Sequence, residues 1–352
     1  MGRSFRDRAR SDPHLVEILG ARGRILRAIR ETFTGAGFVE VTTPSLLLAP
    51  DPALHLEAFR TELVLGDGRR RTLYLPTSPE HHMKRLVAGG MPRIFQIGPF
   101  FRNGEVTACH NPDFLGLEWY QAGATLEQLM ADTESLVVQA ARQGLGSTRI
   151  RSRGREIDLE KPFARMTVAE ALSRLGGVEV PARWEEPLLR EAVVRAGIPT
   201  AVDDSFDDLV QRVMLTRVEP ALEALGPVSL YDFPAPMAAQ ARLRPETPWV
   251  AERFELYGGG LELCNGYGEL TDGPQLRARL EQDREDRRRQ GKHVPPLDED
   301  YLLALAEGLP ACSGCALGLD RLVMFLCDRS RIEEVMAFPM ELELPGQEPP
   351  RV

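Results

Sequence analysis

The chain has 352 residues, 43% of them hydrophobic, and a formal net charge of −9 at pH 7, which predicts a folded protein with one large core or two smaller ones. An acidic chain argues against a protein that binds nucleic acid mainly through its phosphates, although a local basic groove stays compatible with it. No apolar stretch has the length of a signal peptide at the start or of a bilayer span later on. We therefore expect a cytoplasmic protein.

The five cysteines are an odd number scattered along the chain, so we expect reduced thiols rather than a disulfide framework. Cys312 and Cys315 form a single CxxC. Zinc or redox chemistry would need a second ligand pair or a thioredoxin-like βαβ setting, and neither is visible. The pattern favours small packing residues in a tight strand that contains glycine.

The first part of the chain predicts one long helix followed by strands. Apolar residues at helical spacing over 14–36, with Gly35 and Gly37 at the end, predict a helix with a glycine stop. The sequence FVEVTTP predicts a short strand that ends at Pro44. Between 59 and 121, short β-like runs surround one helical segment near PEHHMKRLVAGG, which is typical of an antiparallel sheet rather than of βαβ repeats.

The middle of the chain predicts helices with few strand signals between them, at 126–144, 166–176, 185–197 and 205–225. We interpret about 125–225 as a helical insertion. Strand patterns resume at VSLYDF, RFELYGGGLELCNGYGEL and CSGCALGLDR, around a charged helix at 273–291 whose charges favour a solvated face over a binding patch. The Pro-rich end, PGQEPPRV, is typical of a frayed tail. The whole pattern predicts a single α+β domain over 1–352, with a mostly antiparallel sheet flanked by helices.

The stretch FFRNGEVTACHNPDFLGLEWY is suited to clamping a nucleotide. One strand delivers Arg102, whose planar guanidinium can contact a phosphate through two hydrogen bonds. In the loop that follows, the amide of Asn111 can read a base edge and the ring of Phe114 offers a stacking surface. On the returning strand Glu118 and Tyr120 are two residues apart and point to the same face of the sheet. A carboxylate and a phenol on one face suit an ammonium group.

The stretch RFELYGGGLELCNGYGEL carries Glu255, Glu262 and Glu269 at a spacing of seven residues. The three glycines at 258–260 mark a turn, so the two arms form a hairpin on which Glu255 and Glu262 can converge. Two carboxylates near a triphosphate are the expected ligands for Mg²⁺, which is usually shared with substrate phosphates.

The stretch CSGCALGLDRLVMF is a glycine-rich strand that leads into an apolar helix, with Arg321 at the junction. Small residues would let ATP approach the backbone, and Arg321 would supply a second cation to its phosphates. Each of the three stretches has an ordinary structural explanation when taken alone. Their order and their combination of two arginines, paired acids and a stacking loop favour a nucleotide-dependent enzyme.

In order and spacing, the chain resembles class II lysyl-tRNA synthetases and, more closely, their truncated paralogues, the elongation factor P (R)-β-lysine ligases. The resemblance covers nearly the whole chain and includes TSPEHHMKRLVAGG, FFRNGE, HNPDF, LEWY, GLELCNGYGELTD and CSGCALGLDRLVM. Pro44 corresponds to the motif 1 proline of the dimer interface, Arg102 to the motif 2 arginine and Arg321 to the motif 3 arginine. The resemblance therefore implies a class II synthetase catalytic domain and a homodimer.

The resemblance also implies roles for individual residues. Arg102 would contact the α-phosphate and Arg321 would lie along the β- and γ-phosphates, which makes these two the implied catalytic residues. The rest of the ATP site would comprise Asn103, Gly104, Asn111, Phe114, Glu262, Leu263 and Gly318. Mg²⁺ would be bound by Glu255 and Glu262. The pocket for a lysine-like amino acid would be lined by Ser78, Pro79, Glu80, Glu118, Tyr120, Asn265, Glu269 and Ala316.

Two features favour the truncated paralogues over the synthetases. The first helix begins too early to leave room for an N-terminal anticodon-binding OB domain, so tRNA is not the expected partner. Ala316 stands where the synthetases typically have glycine, and TSPE at 77–80 replaces their APE. One departure concerns the motif 2 Arg-Asn-Glu, which here is Arg102-Asn103-Gly104 with Glu105 next. Either Glu105 takes over through a shift of the loop, or the Gly104 backbone approaches ATP directly.

The implied function is an ATP-dependent, AMP-forming ligase that activates (R)-β-lysine or lysine as its adenylate and transfers it to a lysine ε-amine of elongation factor P. The alternatives are a compact enzyme that charges tRNA, a ligase that forms a free amide, and a catalytically silent paralogue that binds an amino acid. The acceptor distinguishes the first two, and loss of pyrophosphate exchange would indicate the third. The sequence leaves open whether the donor is (R)-β-lysine or lysine, because one methyl group in a pocket decides only about 1–3 kcal/mol.

Overall fold

A computed structural model describes residues 5–343, so the frayed tail expected at PGQEPPRV lies outside the described residues. The helices of this range are α1 (Phe5–Ser11), α2 (His14–Gly35), α3 (Glu80–Ala88), α4 (Leu126–Leu145), α5 (Val168–Arg174), α6 (Glu186–Arg195), α7 (Phe206–Val213), α8 (Glu219–Leu222), α9 (Gly273–Arg289), α10 (Glu299–Gly308), α11 (Leu319–Leu326) and α12 (Met340–Glu343). No described helix is both long enough and apolar enough to cross a membrane.

The strands of the same range are β1 (Val39–Glu40), β2 (Arg60–Val64), β3 (Arg70–Tyr74), β4 (Arg93–Phe101), β5 (Asp113–Ala122), β6 (Arg149–Ser152), β7 (Arg155–Asp158), β8 (Ala164–Thr167), β9 (Val228–Pro234), β10 (Leu243–Arg244), β11 (Thr247–Gly258), β12 (Leu261–Gly268) and β13 (Cys312–Gly318). Nine of them form one sheet in the order β1-β4-β5-β13-β12-β11-β9-β8, with β10 paired to β11. Its pairs are antiparallel except β1 with β4 and β8 with β9. The predicted α+β fold with a mostly antiparallel sheet is confirmed.

The strand predicted to end at Pro44 is shorter than expected. Strand β1 pairs with β4 only through Val39 and Glu40. Farther along, the backbone N–H of Thr43 donates to the side-chain oxygen of Gln96 at 2.9 Å. A side chain thus satisfies the donor that a longer ladder would have used.

The predicted insertion is wrong in one respect, because it is not purely helical. Strands β6 and β7 form a hairpin whose turn places Arg153 and Gly154 at positive φ of 50° and 74°. Strand β8 joins the main sheet beside β9. A single Arg-Gly turn between two four-residue strands gives too short an alternation to stand out from the helical pattern around it.

The helix predicted over 205–225 is divided. Helix α7 leads into a π-helical segment, Met214–Val218, and then into α8. Pro220 lies at the start of α8, and because proline has no N–H and its ring clashes with the carbonyl four residues earlier, a regular α-helix cannot continue through it. Helix α10, which begins at the cap of Asp298, was missed by the sequence analysis.

The sheet has apolar cores on its two faces. One core joins the sheet to α2, α4 and α11, and another joins its opposite face to α3, α9 and α10.

Cys312 and Cys315 are buried and free in β13, as the packing interpretation predicts. Helix α9 is solvated through Arg288 and Arg289, but its Arg287 is buried and donates to the carbonyl oxygens of residues 53 and 56, which the solvated-face interpretation did not foresee.

Candidate active site

The candidate site is a cavity of about 360 Å³ over the centre of the sheet. Its floor follows the strand register: Glu118 of β5 lies opposite Ala316 of β13, and Ala316 lies opposite Asn265 of β12. Directly opposed residues present their side chains on one face. Tyr120, Gly314 and Tyr267 form the next row. A Cβ at Gly314 would lie 2.3 Å from the Tyr120 ring, so glycine leaves the room that this ring needs.

One end of the cavity carries two cationic side chains. Arg102 follows β4 directly, and its guanidinium lies 5.2 Å from the centre of the Phe114 ring on β5. Arg321, in the first turn of α11, donates to the carbonyl oxygen of Glu262 at 3.0 Å and lies 3.7 Å from the Glu262 carboxylate. Two guanidinium groups at one end of a cavity fit a polyphosphate.

His110 lies between these two arginines, and the sequence analysis assigned it no role. Its Nε2 is in hydrogen-bond contact with Nη2 of Arg321, and its Nδ1 lies 2.8 Å from the Thr107 hydroxyl. Burial and then the charges of Arg321 and Arg102 lower the pKa of His110 to about 4. His110 is therefore neutral near pH 7 and can accept a hydrogen bond from Arg321. The sequence signal that could have identified His110 is its position in HNPDF, the run that also contains Asn111 and Phe114.

The loop after Arg102 departs from motif 2 at Gly104, and its conformation bears on the two alternatives for this position. Gly104 has a φ of +88°, which an l-amino acid with a side chain rarely adopts. This turn brings the Glu105 carboxylate into the cavity wall, 3.9 Å from the Arg102 guanidinium. Asn103 and Gly104 themselves are exposed and do not line the cavity. Of the two alternatives at this position, the geometry favours Glu105.

The amide of Asn111 is less available than the sequence suggested. Its Nδ2 donates to both the main-chain and side-chain oxygens of Asp113 at 2.6 Å, and its Oδ1 accepts from the backbone N–H of Met340 at 2.8 Å. Asn111 lines the cavity, but its side chain holds the loop in place. A contact from that amide to a base would have to replace these bonds.

The other end of the cavity is acidic. Glu118 is buried on β5, and the hydroxyl of Tyr120 donates to it at 2.5 Å. Burial, together with the nearby Glu80 carboxylate, raises the pKa of Glu118 to about 8, against the opposing effect of the Tyr120 hydrogen bond. Asn265 has a buried Oδ1 without a hydrogen-bond partner in the described structure. The acidic end therefore offers hydrogen-bond acceptors to a cationic ligand, and negative charge once its carboxyl groups lose their protons.

Lys84 lies beneath this end with no exposed surface, a feature that sequence reasoning missed. Its Nζ is 2.5 Å from Glu80 Oε1 and 2.6 Å from Glu269 Oε2. Burial lowers the pKa of Lys84, but the Glu269 and Glu80 carboxylates outweigh this and hold the pKa well above its usual value. Burial raises the pKa of Glu269 to about 8 despite Lys84, because the Glu80 carboxylate is also near.

The glycine hairpin brings its acids together as expected. Glu255 is buried and accepts from Arg253 at 2.7 Å and from the Tyr257 hydroxyl at 2.8 Å. Burial and the charge of Glu262 raise the pKa of Glu255. Glu219, at the start of α8, is a third acid close to Glu255 and Glu262, and the sequence analysis did not identify it. Burial, followed by the charges of Glu262 and Glu255, raises its pKa to about 7.

The acids of the hairpin fit a divalent cation that is shared with phosphates. The acids repel one another, which shows that negative charge is in excess beside Arg321. Mg²⁺ is usually bound by only one or two carboxylates, together with water and phosphate oxygens. Among the described residues, no group of three or more His, Cys, Asp or Glu side chains has the geometry of a complete metal site. Glu262 lines the cavity, whereas Glu255 lies outside its wall and already accepts hydrogen bonds from Arg253 and Tyr257.

Most residues that the sequence singled out meet in this one cavity. Those that line it are Ser78, Glu80, Arg102, Asn111, Phe114, Glu118, Tyr120, Glu262, Leu263, Asn265, Glu269, Ala316, Gly318 and Arg321. Those outside its wall are Pro79, Asn103, Gly104 and Glu255.

Asp320 also lines the cavity. Its carboxylate accepts from the backbone N–H of Leu115 at 2.8 Å and from Arg22 at 2.7 Å. Asp320 therefore holds β5 against α11, and only the folded chain shows this link.

A cavity with arginines at one end and carboxylates at the other, over a mostly antiparallel sheet, defines a catalytic domain of the class II aminoacyl-tRNA-synthetase type. Residues 5–342 match the family described as tRNA synthetases class II (D, K and N). The chain is 41% identical over 324 residues to the elongation factor P–(R)-β-lysine ligase of Actinobacillus succinogenes, with 92% of this chain and 95% of the relative covered. The ligase of the same name from Hamiltonella defensa is 37% identical over 323 residues, with 91% and 94% covered.

The protein of that name from Yersinia pestis is also 37% identical, over 324 residues that cover 91% of this chain and 94% of the relative. The chain therefore belongs to the class II tRNA synthetase family and, within it, to the elongation factor P–(R)-β-lysine ligases.

Proposed function

We propose that this protein activates (R)-β-lysine with ATP and transfers it to a lysine ε-amine of elongation factor P. The observation that carries the proposal is the polarity of one cavity, with Arg102 and Arg321 at one end and the carboxylates of Glu80, Glu118 and Glu269 at the other, the last two of them buried. A diamino acid has two ammonium groups for the acidic end, and its carboxylate then points toward the arginines. The names of the relatives support the choice of donor and acceptor.

In the first step, a carboxylate oxygen of the amino acid attacks the α-phosphorus of ATP. A new P–O bond forms, and the bond to the bridging oxygen breaks, which releases pyrophosphate. The nucleophile is already ionised, so no general base is needed. Arg102 and Arg321 would bind the phosphates and stabilise the charge that develops on them. Mg²⁺, held by Glu262 and Glu255, would supply further charge neutralisation to the phosphates.

In the second step, the ε-amine of the acceptor lysine attacks the carbonyl carbon of the adenylate. A C–N bond forms, the C–O bond to AMP breaks, and the nitrogen loses its proton to solvent. The product is an amide on a protein side chain. A tRNA hydroxyl or a free amine in place of this acceptor would correspond to the alternative ligases.

We also propose a homodimer, supported by apolar side chains beside Pro44 that remain exposed in the single chain. Val39, Leu46 and Leu48 are 52%, 51% and 71% exposed, and a second copy would remove such a patch from water. Light scattering at micromolar concentration should give twice the mass of the chain, and a monomer would contradict this part of the proposal. Because its proposed partners are ATP and a translation factor, we place the protein in the cytoplasm.

The test of the activation step is exchange of labelled pyrophosphate into ATP that depends on (R)-β-lysine. Arg321→Ala should lower this exchange on the order of 100-fold, the usual effect of removing one group that stabilises developing charge. Arg93→Ala is a suitable control, because Arg93 is an exposed arginine on β4 outside the cavity. Exchange that is absent from the wild-type protein would support the catalytically silent alternative instead.

A further inference from the structure

Lys84 is unusual for its residue type in this chain. The sequence contains only three lysines, at 84, 161 and 292, among 43 basic residues. Lys161 and Lys292 are exposed, whereas Lys84 has no exposed surface. An isolated buried ammonium is costly to desolvate, so its position beside a ligand cavity calls for a specific electrostatic reason.

The contacts of Lys84 supply that reason. Its Nζ joins Glu80 at the start of α3 to Glu269 after β12, and Gln240 Oε1 lies 3.3 Å away. Gln240 is held in turn, because the same oxygen accepts from the Tyr301 hydroxyl at 2.8 Å. The ammonium thus ties two cavity carboxylates from distant parts of the chain to one point.

The surroundings of Lys84 contain more negative than positive charge. The charged and titratable groups that face this cluster from the neighbouring elements are Glu80, Glu118, Glu269, Tyr120, Tyr267, Tyr301, Cys312 and Arg242. Arg242 is itself paired with Glu252 at 2.6 Å. When the three carboxylates are ionised, one ammonium leaves two negative charges without a partner.

We propose that Lys84 is a positioning and specificity-determining residue: it cancels one of three carboxylate charges and fixes Glu80 and Glu269 so that the cavity matches the two ammonium groups of a diamino acid. This inference rests on the proposed function and goes beyond it. Without Lys84, the Glu80 carboxylate would face the buried Glu269 with no cation between them, and the repulsion would keep Glu269 protonated to a higher pH than in the wild type. At a given pH the cavity would then carry less negative charge than in the wild type, and a dication would bind less well.

The test compares Lys84→Met and Lys84→Gln with wild type in pyrophosphate exchange, across pH 6.5 to 9. Both variants should raise the KM for (R)-β-lysine at pH 7 by about tenfold or more, as expected for a shift of about one pKa unit. The difference from wild type should narrow at higher pH, where the carboxylates ionise again. The KM for ATP and the kcat at saturating amino acid should stay within about threefold of wild type.

A matched control is Met83→Leu, because Met83 is equally buried on the same helix and a swap between leucine and methionine conserves volume. It should leave the pH profile unchanged. If Lys84 only supports folding, its variants lose thermal stability without moving the pH profile, and the inference is wrong. Wild type without exchange activity would instead refute the proposed function.

A measurement on the wild-type protein makes the test independent of whether the variants fold. With only three lysines, ¹⁵N spectra of the side chains should give three ammonium resonances, and Lys84 is the one protected from solvent exchange. It should remain an ammonium at pH 8, both free and with (R)-β-lysine bound. A neutral amine at that position would overturn the inference.

Discussion

The hydroxyl of Tyr120 donates to the carboxylate of Glu118 at 2.5 Å, two residues away on the same face of β5. The bond fixes the orientation of a buried acid that lies on the cavity floor beside Ala316. It also favours the ionised form of Glu118, against burial and against the nearby Glu80. The spacing of two along one strand gives Glu118 its hydrogen-bonding partner.

Tyr120→Phe should therefore weaken binding of the amino acid. Loss of the donor leaves a buried acceptor without its partner, which costs about 1–3 kcal/mol, so the KM for (R)-β-lysine should rise about 5- to 150-fold. Steady-state exchange kinetics measure this. Tyr74→Phe is the control, since the Tyr74 hydroxyl contacts His293 outside the cavity. Equal KM values for wild type and Tyr120→Phe would show that the bond does not contribute to binding.

Binding of the amino acid should depend on pH. The pKa of Glu118 and that of Glu269 are each raised to about 8 in the protein without ligand. Each acid must lose its proton to pair with an ammonium group, so the KM for (R)-β-lysine should fall as pH rises from 6.5 to 8, by up to about tenfold per unit for each group. Calorimetry in buffers of different ionisation enthalpy should detect protons released on binding. A KM that stays constant over this range would contradict the assignment.

The turn at Gly104 should matter for ATP. Gly104→Ala places a side chain at positive φ, which costs roughly 1–2 kcal/mol, and displaces Glu105 from its position near Arg102. The KM for ATP should rise while the KM for the amino acid stays unchanged. Gly68→Ala is the control, because Gly68 also has positive φ, at 85°, but lies in the hairpin between β2 and β3. A similar change in both variants would show that loss of stability, rather than Glu105, is responsible.

Asp320 should contribute to stability as well as to the cavity. Asp320→Ala leaves the backbone N–H of Leu115 and the guanidinium of Arg22 without their shared acceptor. We expect the free energy of unfolding to fall by about 2–4 kcal/mol, as for other buried pairs that lose one member. Urea unfolding measures this, with the exposed Asp67→Ala as control. A change below about 0.5 kcal/mol, the usual range for surface substitutions, would contradict the structural role.

Local patterns sufficed to predict much of the fold and the cavity. Glu118 and Tyr120 share a face because strands alternate with a period of two, and the glycine hairpin brings Glu255 near Glu262 because a turn reverses the chain. Arg102 and Arg321 could be placed next to strands and helices by the same reasoning. Such patterns predict how side chains are arranged within one helix or strand, or between two elements that follow each other in the chain.

Features that depend on distant parts of the chain were not predictable in this way. The contact of Lys84 with Glu269 joins residues 185 positions apart along the chain, so no local period reports it. The same is true of the contact between Asp320 and Arg22, which belong to α11 and α2.

The start of α5, by contrast, could have been predicted from the sequence, because Thr167 and Glu170 form a capping box that starts the helix at Val168.

The most direct test of the proposed function is the intact mass of elongation factor P after incubation with the protein, ATP, Mg²⁺ and (R)-β-lysine, with bulk tRNA present in the same mixture. We predict one added lysyl unit on the factor and uncharged tRNA, with a slower reaction when lysine replaces (R)-β-lysine. A factor that lacks its acceptor lysine should remain unmodified. Charged tRNA together with an unchanged mass of elongation factor P would contradict the account and identify a compact tRNA synthetase instead.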